Sequence, residues 1–521
     1  MTAPSCACYN GLHIVSESLP SRSPSTTMIA PQDDEETPLL QRPEHPTATK
    51  TPLPWDQFWI ILLLEIPDFL SSQTLAPFIP QLIRDIGVTQ GDESQVGYYV
   101  GVLQSSYYAA HLLTIFHWSR LSDHIGRKPL MLTALLAIIV SMFSFGLSKT
   151  FLGLLVSRVV CGAFDSSDSV LETLVMDTTD VTNMPEAYGY IPIPWMIGNT
   201  VGPLIGGSLS RPADRFPNIF GRSELLKTYP YLLPCSISAF FISIAWLITY
   251  FRLKESVSTR TPLWELIKGR FFGQSYQKLR QPSSNVDPGE AQSKPLPLHA
   301  LLTSKVLRIT TSNVTTSLLH IAFTSVQPVF YATPIELGGL SLDPPHIGAL
   351  LAAQGVAHGI FQLLFNARLH DRFGAGAIHI TGVSSGIPII ILFPVINALA
   401  RAYGVGMAVW LCVAVQLALT TSLVMCYPCM SLFIRAAAPN RASFGATNGI
   451  VLAAVTVASI IGPASAASVF SYSLQEGHDA WSIYYFLMAI AFLAVGAALL
   501  LPRDPSVWED SNDIIANDRV L

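Results

Sequence analysis

The chain has 521 residues, of which 50% are hydrophobic and only 12% are charged, and its formal net charge is −5. Its mean hydropathy is +0.43, whereas soluble proteins carry about 25% charged residues. This composition excludes a soluble globular protein, and the absence of a separate basic domain argues against nucleic-acid binding. Charge this sparse predicts a multi-pass helical membrane protein whose spans each need roughly 20 apolar residues.

Residues 1–54 are predicted to form a disordered N-terminal tail, because they are rich in Ser, Pro, Thr and acidic residues. They lack the basic start and apolar run of a secretory signal peptide. The stretch Glu35-Glu-Thr-Pro-Leu-Leu40 resembles an acidic dileucine sorting signal, which implies delivery to an endosomal or vacuolar membrane. A solvated acidic tail without a sorting role is the alternative.

Twelve apolar segments follow the tail. They lie near residues 57–82, 96–118, 129–148, 151–176, 187–210 and 229–251, and then near 304–331, 347–368, 378–398, 404–434, 445–472 and 481–501. We predict an all-α membrane protein with twelve transmembrane helices in two six-helix bundles, residues 55–251 and 301–502, as in transporters built from repeated halves. Residues 252–300 would form a central loop and 503–521 a C-terminal tail. In the loop, Trp264, Ile267 and Phe271 predict a short helix on the membrane surface.

Lys and Arg are concentrated in the loops after the second and sixth segments and in later equivalent loops. Because such loops remain in the cytoplasm, both termini and the central loop are predicted to be cytoplasmic. Four cations on the opposite side weaken this bias: Arg211, Arg215, Arg222 and Lys227. The membrane itself is left open between a vacuolar or endosomal membrane and the plasma membrane.

The loop after the second segment contains a compact motif. It resembles the major facilitator loop signature G-x-x-x-D-x-x-G-R-K, with Ser119 in place of the first glycine. The matching residues are Asp123, Gly126, Arg127 and Lys128. Gly126 permits a tight turn, and Arg127 can reach an acidic helix end such as Asp177. This contact would act as a conformational latch; a basic loop that only sets topology is the alternative.

The fourth segment carries charges at membrane depth, where they are expensive and usually face the bundle interior. Arg158, Asp165 and Glu172 are spaced by seven residues and would share one face of a continuous helix, with Asp168 within about a turn of the two acids. Arg158 and Gly162 resemble the R-x-x-x-G signature of major facilitators, which implies a role for the Arg in proton transfer. We predict that Arg158 pairs with Asp165 in a proton-coupling site; a static buried ion pair is the alternative.

Glu65 and Asp68 lie three residues apart in the first segment, on one face of the predicted helix and on either side of Pro67. They are candidates for a second protonation point or for binding a cationic substrate.

The fifth segment is rich in glycine and proline and carries no charge between residues 189 and 207. Glycines on one face let a neighbouring backbone approach closely, and a proline kinks the helix. The stretch resembles the antiporter signature of major facilitator drug:proton antiporters at every defined position, namely Gly189, Gly198, Gly202, Pro203, Gly206 and Gly207. The resemblance implies a helix that seals or bends between the two bundles; a close-packed structural helix is the alternative.

Polar residues in the second half lie within apolar runs. Gln327, Gln362, Asn366 and Asn448 are expected either to line a cavity or to hold helices together by hydrogen bonds. The histidines at 111, 117, 320 and 358 are expected to be packing or interface residues. Cys426 and Cys429 have C-x-x-C spacing but no second pair, so neither a metal site nor a cofactor is predicted.

A narrower resemblance extends from Trp55 to Pro502. It is similar to the fungal and plant transporters of the zinc-induced-facilitator-like group, and it is carried by the blocks Glu93–Gly101, Arg215–Gly221, Tyr229–Pro234 and Glu336–Leu340. The cysteine and histidine loop motifs of plant members are absent, which puts zinc handling in doubt. The extra acidic residues of the fourth segment suggest a cationic substrate or an altered proton site.

Together these features predict a secondary transporter that exchanges a small organic molecule for protons by alternating access, with a single chain sufficient for one pathway. Its partners would be the lipid bilayer, the substrate and protons. No catalytic constellation or nucleotide-binding loop is present, so neither an enzyme nor direct ATP drive is expected. An uncoupled facilitator and a transporter-like sensor remain alternatives, and the substrate is left open.

Overall fold

The computed structural model describes residues 51–165, 167–180, 182–255, 298–439 and 443–508, and these ranges lie within one compact unit. Their secondary structure consists of helices joined by turns. The predicted sorting signal at residues 35–40 and the predicted surface helix at residues 264–271 lie outside the described residues.

The first half of the described chain, residues 51–255, begins with α1 and ends with α12. The helices are α1 (Trp55–Leu75), α2 (Ile79–Ile86), α3 (Val96–Ile125), α4 (Arg127–Gly146), α5 (Phe151–Phe164), α6 (Ser167–Thr178), α7 (Met184–Tyr190), α8 (Pro192–Leu209), α9 (Pro212–Arg215), α10 (Pro217–Phe220), α11 (Glu224–Thr228) and α12 (Leu232–Arg252).

The second half, residues 298–508, also consists of helices joined by turns in its described residues. Its helices are α13 (Leu298–Leu301), α14 (Ser304–Ala332), α15 (Pro344–Ser384), α16 (Gly386–Tyr403), α17 (Met407–Val424), α18 (Cys426–Ala437), α19 (Phe444–Ser473) and α20 (Ser482–Ala498).

Each of the twelve predicted apolar segments is helical. Seven helical stretches within the described ranges are long and apolar enough to span a membrane, and two shorter apolar helices, Phe151–Phe164 and Ser482–Ala498, accompany them. The all-α membrane architecture is therefore confirmed, while length and composition alone support fewer than twelve spans.

The fourth apolar segment differs from the continuous helix that the sevenfold spacing implied. α5 ends at Phe164, Asp165 has extended backbone with φ −71° and ψ 110°, and α6 begins at Ser167. The expectation of one uninterrupted face for residues 158, 165 and 172 is wrong for this reason. A break in an intramembrane helix leaves backbone groups that the helix itself cannot satisfy, and such breaks are tolerated where protein or a cavity surrounds them.

A matching turn occurs in each half. Gly126 separates α3 from α4 with φ 105° and ψ 160°, and Gly374 interrupts α15 with φ 77° and ψ 159°. Both values of φ lie in the region that glycine adopts readily. The segment after the last long helix of each half packs on this turn: Glu255 lies beside Gly126, and the amide of Gly376 donates to Arg503 O at 3.1 Å.

Within the described residues, the two most extensive contacts between the halves are helix pairs. α8 packs on α15, and α3 packs on α19. We call the end of the bundle where α3 begins the Val96 end, and the end where α3 meets α4 the Gly126 end. At the Val96 end, the Tyr98 amide donates to Ser471 Oγ at 2.7 Å, and Ser105 Oγ donates to Ile460 O at 2.7 Å.

The last described residues extend the second half beyond the predicted boundary at Pro502. Trp508 is 6% exposed, its ring meets that of Phe433 edge-on at 6.0 Å, and its carbonyl accepts a hydrogen bond from Lys305 at 2.9 Å. The start of the predicted C-terminal tail is therefore part of the packed structure.

Candidate functional site

Asp165 lies at the break between α5 and α6. Its amide donates to Gly162 O at 3.3 Å, which ends α5 with an ordinary turn hydrogen bond. α5 crosses α3 closely here because residue 162 is glycine, and a Cβ at that position would come within 2.9 Å of the Tyr107 carbonyl carbon. The close crossing brings the side chain of Tyr107 to Asp165.

Tyr107 joins two carboxylates. Its hydroxyl makes a short hydrogen bond to Asp165 Oδ2 and lies 3.0 Å from Asp68 Oδ1. Asp165 is only 2% exposed and Tyr107 is 7% exposed. A phenol has one proton to donate, so its oxygen makes a second good hydrogen bond only to a carboxyl group that is itself protonated. The Asp68–Tyr107–Asp165 cluster therefore has a defined place for one additional proton.

Arg158 is also part of this cluster, but not by the predicted direct pairing with Asp165. Its guanidinium carbon lies 4.7 Å from the centroid of the Tyr107 ring, in a cation–π contact. Arg158 is 6% exposed. The link between the buried cation and the Asp165 carboxylate consequently passes through Tyr107, a residue that the sequence analysis did not consider.

His111 is the second unforeseen member of the cluster. It lies one helical turn after Tyr107 on α3, and its Nδ1 is 3.6 Å from Asp165 Oδ2. The imidazole is 5% exposed. From the sequence alone a packing role is expected for His111, whereas the structure places this ionisable ring beside the buried carboxylate of Asp165.

The other acidic residues of this region face the boundary between the halves. Glu172 Oε1 accepts a hydrogen bond from Asn448 Nδ2 of α19 at 2.7 Å. Glu172 and Glu65 also both act electrostatically on the hydroxyl of Tyr188. Asp168 lies in the first turn of α6, and its side chain is outside the described part of the structure. Asn448 is thus a polar contact between the two halves at the Gly126 end.

The Gly126 end contains the contact anticipated for the loop motif. Arg127 makes a short ion pair with Asp177 and donates to Thr173 O at 2.6 Å, so it ties α4 to the end of α6. Its side chain is 12% exposed, against 35% for that of Asp177. The side chain of Asp123 lies outside the described residues. Arg127 and Asp177 are therefore placed as a latch requires.

Glu255 completes the turn at Gly126. Its Oε1 accepts the Arg127 amide at 2.8 Å, and a Cβ on Gly126 would approach its carboxylate to 2.6 Å. A carboxylate at the first amides of a helix is favoured by the helix dipole. Lys128 donates to Leu253 O at 2.8 Å. The loop motif is thus fixed to the end of α12 as well as to α6.

The carboxylate of Asp180 holds the loop after α6 through hydrogen bonds. Hydrogen bonds donated by Thr182 and Thr51 lower the pKa of Asp180 to about 2. Thr51 precedes α1, so Asp180 connects the start of the first helix to the segment next to the latch.

The glycines of α8 face two different helices. A Cβ on Gly202 would come within 3.0 Å of the Thr74 amide of α1, and one on Gly198 or Gly206 would also overlap α1. A Cβ on Gly207 would instead reach the Gly348 Cα of α15 at 2.9 Å. Pro203 lies inside the helix, and Gly189 lies in α7 with open space around its Cα. Gly198, Gly202 and Gly206 are therefore in close contact with α1 and Gly207 with α15, whereas Gly189 is not at a close contact.

α15 contributes glycines of its own to this interface. Gly348, Gly355 and Gly359 all meet α8, and a Cβ on Gly355 would approach Asn199 O to 2.6 Å. Their spacing of seven and four residues places them on one helix face and was visible in the sequence. In contrast, nothing in the sequence distinguished Tyr107 from the other tyrosines, because its role depends on the crossing of α3 with α5.

The predicted polar residues of the second half fall into two groups. Gln327, 1% exposed, donates to Gln354 at 3.0 Å, and the neighbouring Tyr331 hydroxyl donates to Gln416 at 3.4 Å. Gln327 is thus bonded within the second half. Gln362 and Asn366 are half-buried on α15.

Comparison with known proteins identifies the family and the fold. The Major Facilitator Superfamily profile matches residues 61–442. The chain is 28% identical to the Arabidopsis thaliana protein ZINC INDUCED FACILITATOR-LIKE 1 over 85% of this chain and 90% of that protein. It is 26% identical to the efflux pump azaK of Aspergillus niger, over 89% of this chain and 94% of the pump. The crystal structure of a D-xylose–proton symporter superposes with a TM-score of 0.63 at 13% identity, covering 86% and 98% of the two chains.

We expect Gly206→Ala to destabilise the protein, because the added methyl group overlaps the backbone carbonyl of Thr74. Overpacking of this kind typically costs about 1–3 kcal/mol. Gly189→Ala is the matched control from the same motif, since no atom lies within 4 Å of its added Cβ. Thermal unfolding of the two purified variants measures the difference. Equal melting temperatures would contradict the assignment of Gly206 to a backbone contact.

Arg127→Gln should loosen the end of α6, because it removes the ion pair with Asp177. Hydrogen bonds to charged groups contribute about 1.5–3 kcal/mol, so amide exchange at residues 173–178 should accelerate by roughly tenfold or more. Lys227→Gln breaks an ion pair with Glu224 whose side chains are 47% and 83% exposed, and it should leave exchange unchanged. Unaltered exchange in Arg127→Gln would remove the basis for a latch.

Proposed function

Because the chain belongs to the Major Facilitator Superfamily, a family of membrane transporters, we propose that it moves a small organic molecule out of the cytoplasm in exchange for protons. The exchange would occur by alternating access between the two halves. The observation that carries the proton part of the proposal is the buried cluster of Asp68, Tyr107 and Asp165.

The cluster supplies a proton-binding point whose occupancy depends on its surroundings. The Arg158 guanidinium lies against the Tyr107 ring, and the His111 imidazole lies beside Asp165, so charged or ionisable groups surround the carboxyls. The Tyr107 hydroxyl bridges the two carboxyls, so one added proton can reside on either of them. When the bundle opens toward either side, water reaches these groups and the proton is released or taken up.

The interface between the halves supports an alternation between two open states. At the Val96 end the described contacts include backbone approaching backbone, as at Gly207 and Gly348. At the Gly126 end, contacts such as Glu172 with Asn448 are made by side chains, and these separate at lower cost. The Arg127–Asp177 latch would then hold α4 against α6 while the Gly126 end is closed.

We further propose that the Gly126 end faces the cytoplasm, with both termini on that side. Arg127, Lys128, Arg372 and Lys254 lie there, in agreement with the usual excess of cations in cytoplasmic loops. At the Val96 end, Arg211 contacts Asp85 at 3.2 Å, and burial lowers the pKa of Arg215, which donates to Gly207 O at 3.1 Å. These arginines are engaged in holding the loop after α8.

We also propose how the helices are arranged and in which membrane the protein resides. Two six-helix bundles, residues 55–251 and 301–502, would flank a cytoplasmic loop at 252–300, and one chain would form one pathway. The Aspergillus relative is named an efflux pump and the structural neighbour a proton symporter, which supports export and proton coupling respectively. The vacuolar or endosomal membrane and the plasma membrane both fit this function.

Asp165→Asn tests the proton coupling. The protein is reconstituted in vesicles with a proton gradient, and luminal pH is followed while cationic and neutral small molecules are added. We expect a transported compound to dissipate the gradient with the wild type and at least about tenfold more slowly with Asp165→Asn, because the amide cannot carry the exchanged proton. Asp214→Asn is the control, since that carboxylate is 72% exposed outside the long helices.

If compounds cross at the same rate without a gradient, and Asp165→Asn changes neither their flux nor luminal pH, the protein is an uncoupled facilitator and the cluster is structural. Exchange of labelled for unlabelled compound across vesicles without a gradient should persist in Asp165→Asn, which separates lost coupling from lost folding.

A further inference from the structure

Five ring-bearing side chains lie on helices of the two halves, and four of them form two contacting pairs. Trp195 of α8 and Tyr108 of α3 come from the first half, whereas His320, His358 and Tyr427 come from α14, α15 and α18 of the second. We call these five residues the aromatic–imidazole site. None of them belongs to the carboxylate cluster.

The first contact in this site crosses the boundary. The rings of Trp195 and His358 are parallel, with centroids 5.8 Å apart and planes inclined by 8°. His358 is 5% exposed, and Trp195 is half-buried. The contact is possible because Gly359, next to His358, lets α15 approach the side chain of Met196, next to Trp195. The glycine interface therefore sets this stack.

The second contact lies within the second half. Tyr427 and His320 share a hydrogen bond of 2.9 Å between the hydroxyl and Nδ1, and their rings meet edge-on at 5.5 Å. This second ring pair therefore combines a phenol and an imidazole held together by a hydrogen bond.

The hydrogen bonds of His358 determine which of its two ring nitrogens donates and which accepts. Its Nε2 lies 3.2 Å from Thr420 Oγ1, and the Thr420 hydroxyl donates its own proton to Leu417 O at 2.7 Å. Nε2 must therefore be the donor, which leaves Nδ1 of the neutral imidazole as an acceptor. The site combines flat aromatic faces with imidazole groups, and none of its five residues carries a carboxylate.

We propose that the aromatic–imidazole site binds the substrate, and that the substrate is a planar aromatic molecule with a hydroxyl or ring N–H group. This inference rests on the proposed transport function and specifies its substrate class. Ligand pockets are typically lined by aromatic side chains with a few polar groups that fix orientation. The substrate ring takes the place of Trp195 over His358 when α8 and α15 separate, and its polar group donates to the imidazole.

The position of the aromatic–imidazole site at the α8–α15 interface connects substrate binding to the separation of these two helices. Trp195 and His358 lie on opposite sides of the α8–α15 interface, so a ligand that inserts between them favours the separated arrangement over the closed one. The carboxylate cluster is linked to the same region because Tyr107 and Tyr108 are consecutive, with rings 5.1 Å apart. A shift of α3 moves both groups together.

The test measures equilibrium binding to the full-length protein in lipid nanodiscs, without a proton gradient. The probes are 7-hydroxycoumarin and 1-naphthol, followed by fluorescence anisotropy at mildly acidic pH, and the saturated octahydrocoumarin serves as an aliphatic competitor. We expect both aromatic probes to bind and octahydrocoumarin not to displace them. Failure of both probes to bind, or equal competition by the saturated compound, overturns the proposal.

Five variants locate the site. Trp195→Ala and His358→Ala should each weaken probe binding by about tenfold, because each removes one ring face, whereas Trp195→Phe should remain within about threefold of the wild type. Trp481→Ala and His346→Ala are the matched controls at exposed positions and should bind normally. Thermal unfolding of each variant confirms folding. Unchanged affinity in folded Trp195→Ala and His358→Ala also overturns the proposal.

Probe binding and proton exchange, both measured on the wild type, separate this inference from the proposed proton exchange. If the wild type binds the probes at this site but moves no protons, proton coupling is refuted and the site stands. If an aliphatic compound drives proton exchange and the aromatic probes do not bind, the site is refuted and the coupling stands.

Discussion

Close backbone contact on two sides of α8 is the constraint on which the rest of the structure depends. Gly198, Gly202 and Gly206 admit α1, while Gly207 faces the Gly348 backbone of α15. In a membrane, apolar surface gives little net drive for helices to associate, so close van der Waals packing has to hold them together. The glycines of α8 therefore determine where α1 and α15 lie, and with them the side chains that those helices carry.

The positions of the carboxylate cluster and of the aromatic–imidazole site both follow from this packing. α1 carries Asp68, and its contact with α8 places that carboxylate beside Tyr107 of α3. α15 carries His358, and its contact with α8 brings the imidazole against Trp195. Gly162 acts in the same way between α5 and α3, where it allows Asp165 to reach Tyr107. Glycines at helix crossings thus position the buried polar groups, although the glycines themselves have no reactive side chain.

The sequence was sufficient for the family, the helical segments and the glycine helix, because each depends on local composition or on a short motif. It also placed Arg127 opposite Asp177, since both lie at helix ends in loops of known spacing. It did not reveal Tyr107, because a tyrosine in an apolar run has no distinguishing pattern. The error at Arg158 had a different cause: sevenfold spacing implies one face only if the helix continues, and α5 ends before Asp165.

The helix break also explains why the charged cluster can exist at membrane depth. If α5 continued through residue 165, the acidic residues would follow the helix surface rather than turn toward α3. The extended backbone at Asp165 directs its carboxylate to Tyr107, and Tyr107 in turn offers its ring to Arg158 and its hydroxyl to Asp68. One phenol of α3 thereby connects a cation of α5, a carboxylate of α1 and the carboxylate at the break after α5. Such an arrangement is costly to bury, and the proposed exchange of one proton would give that cost a function.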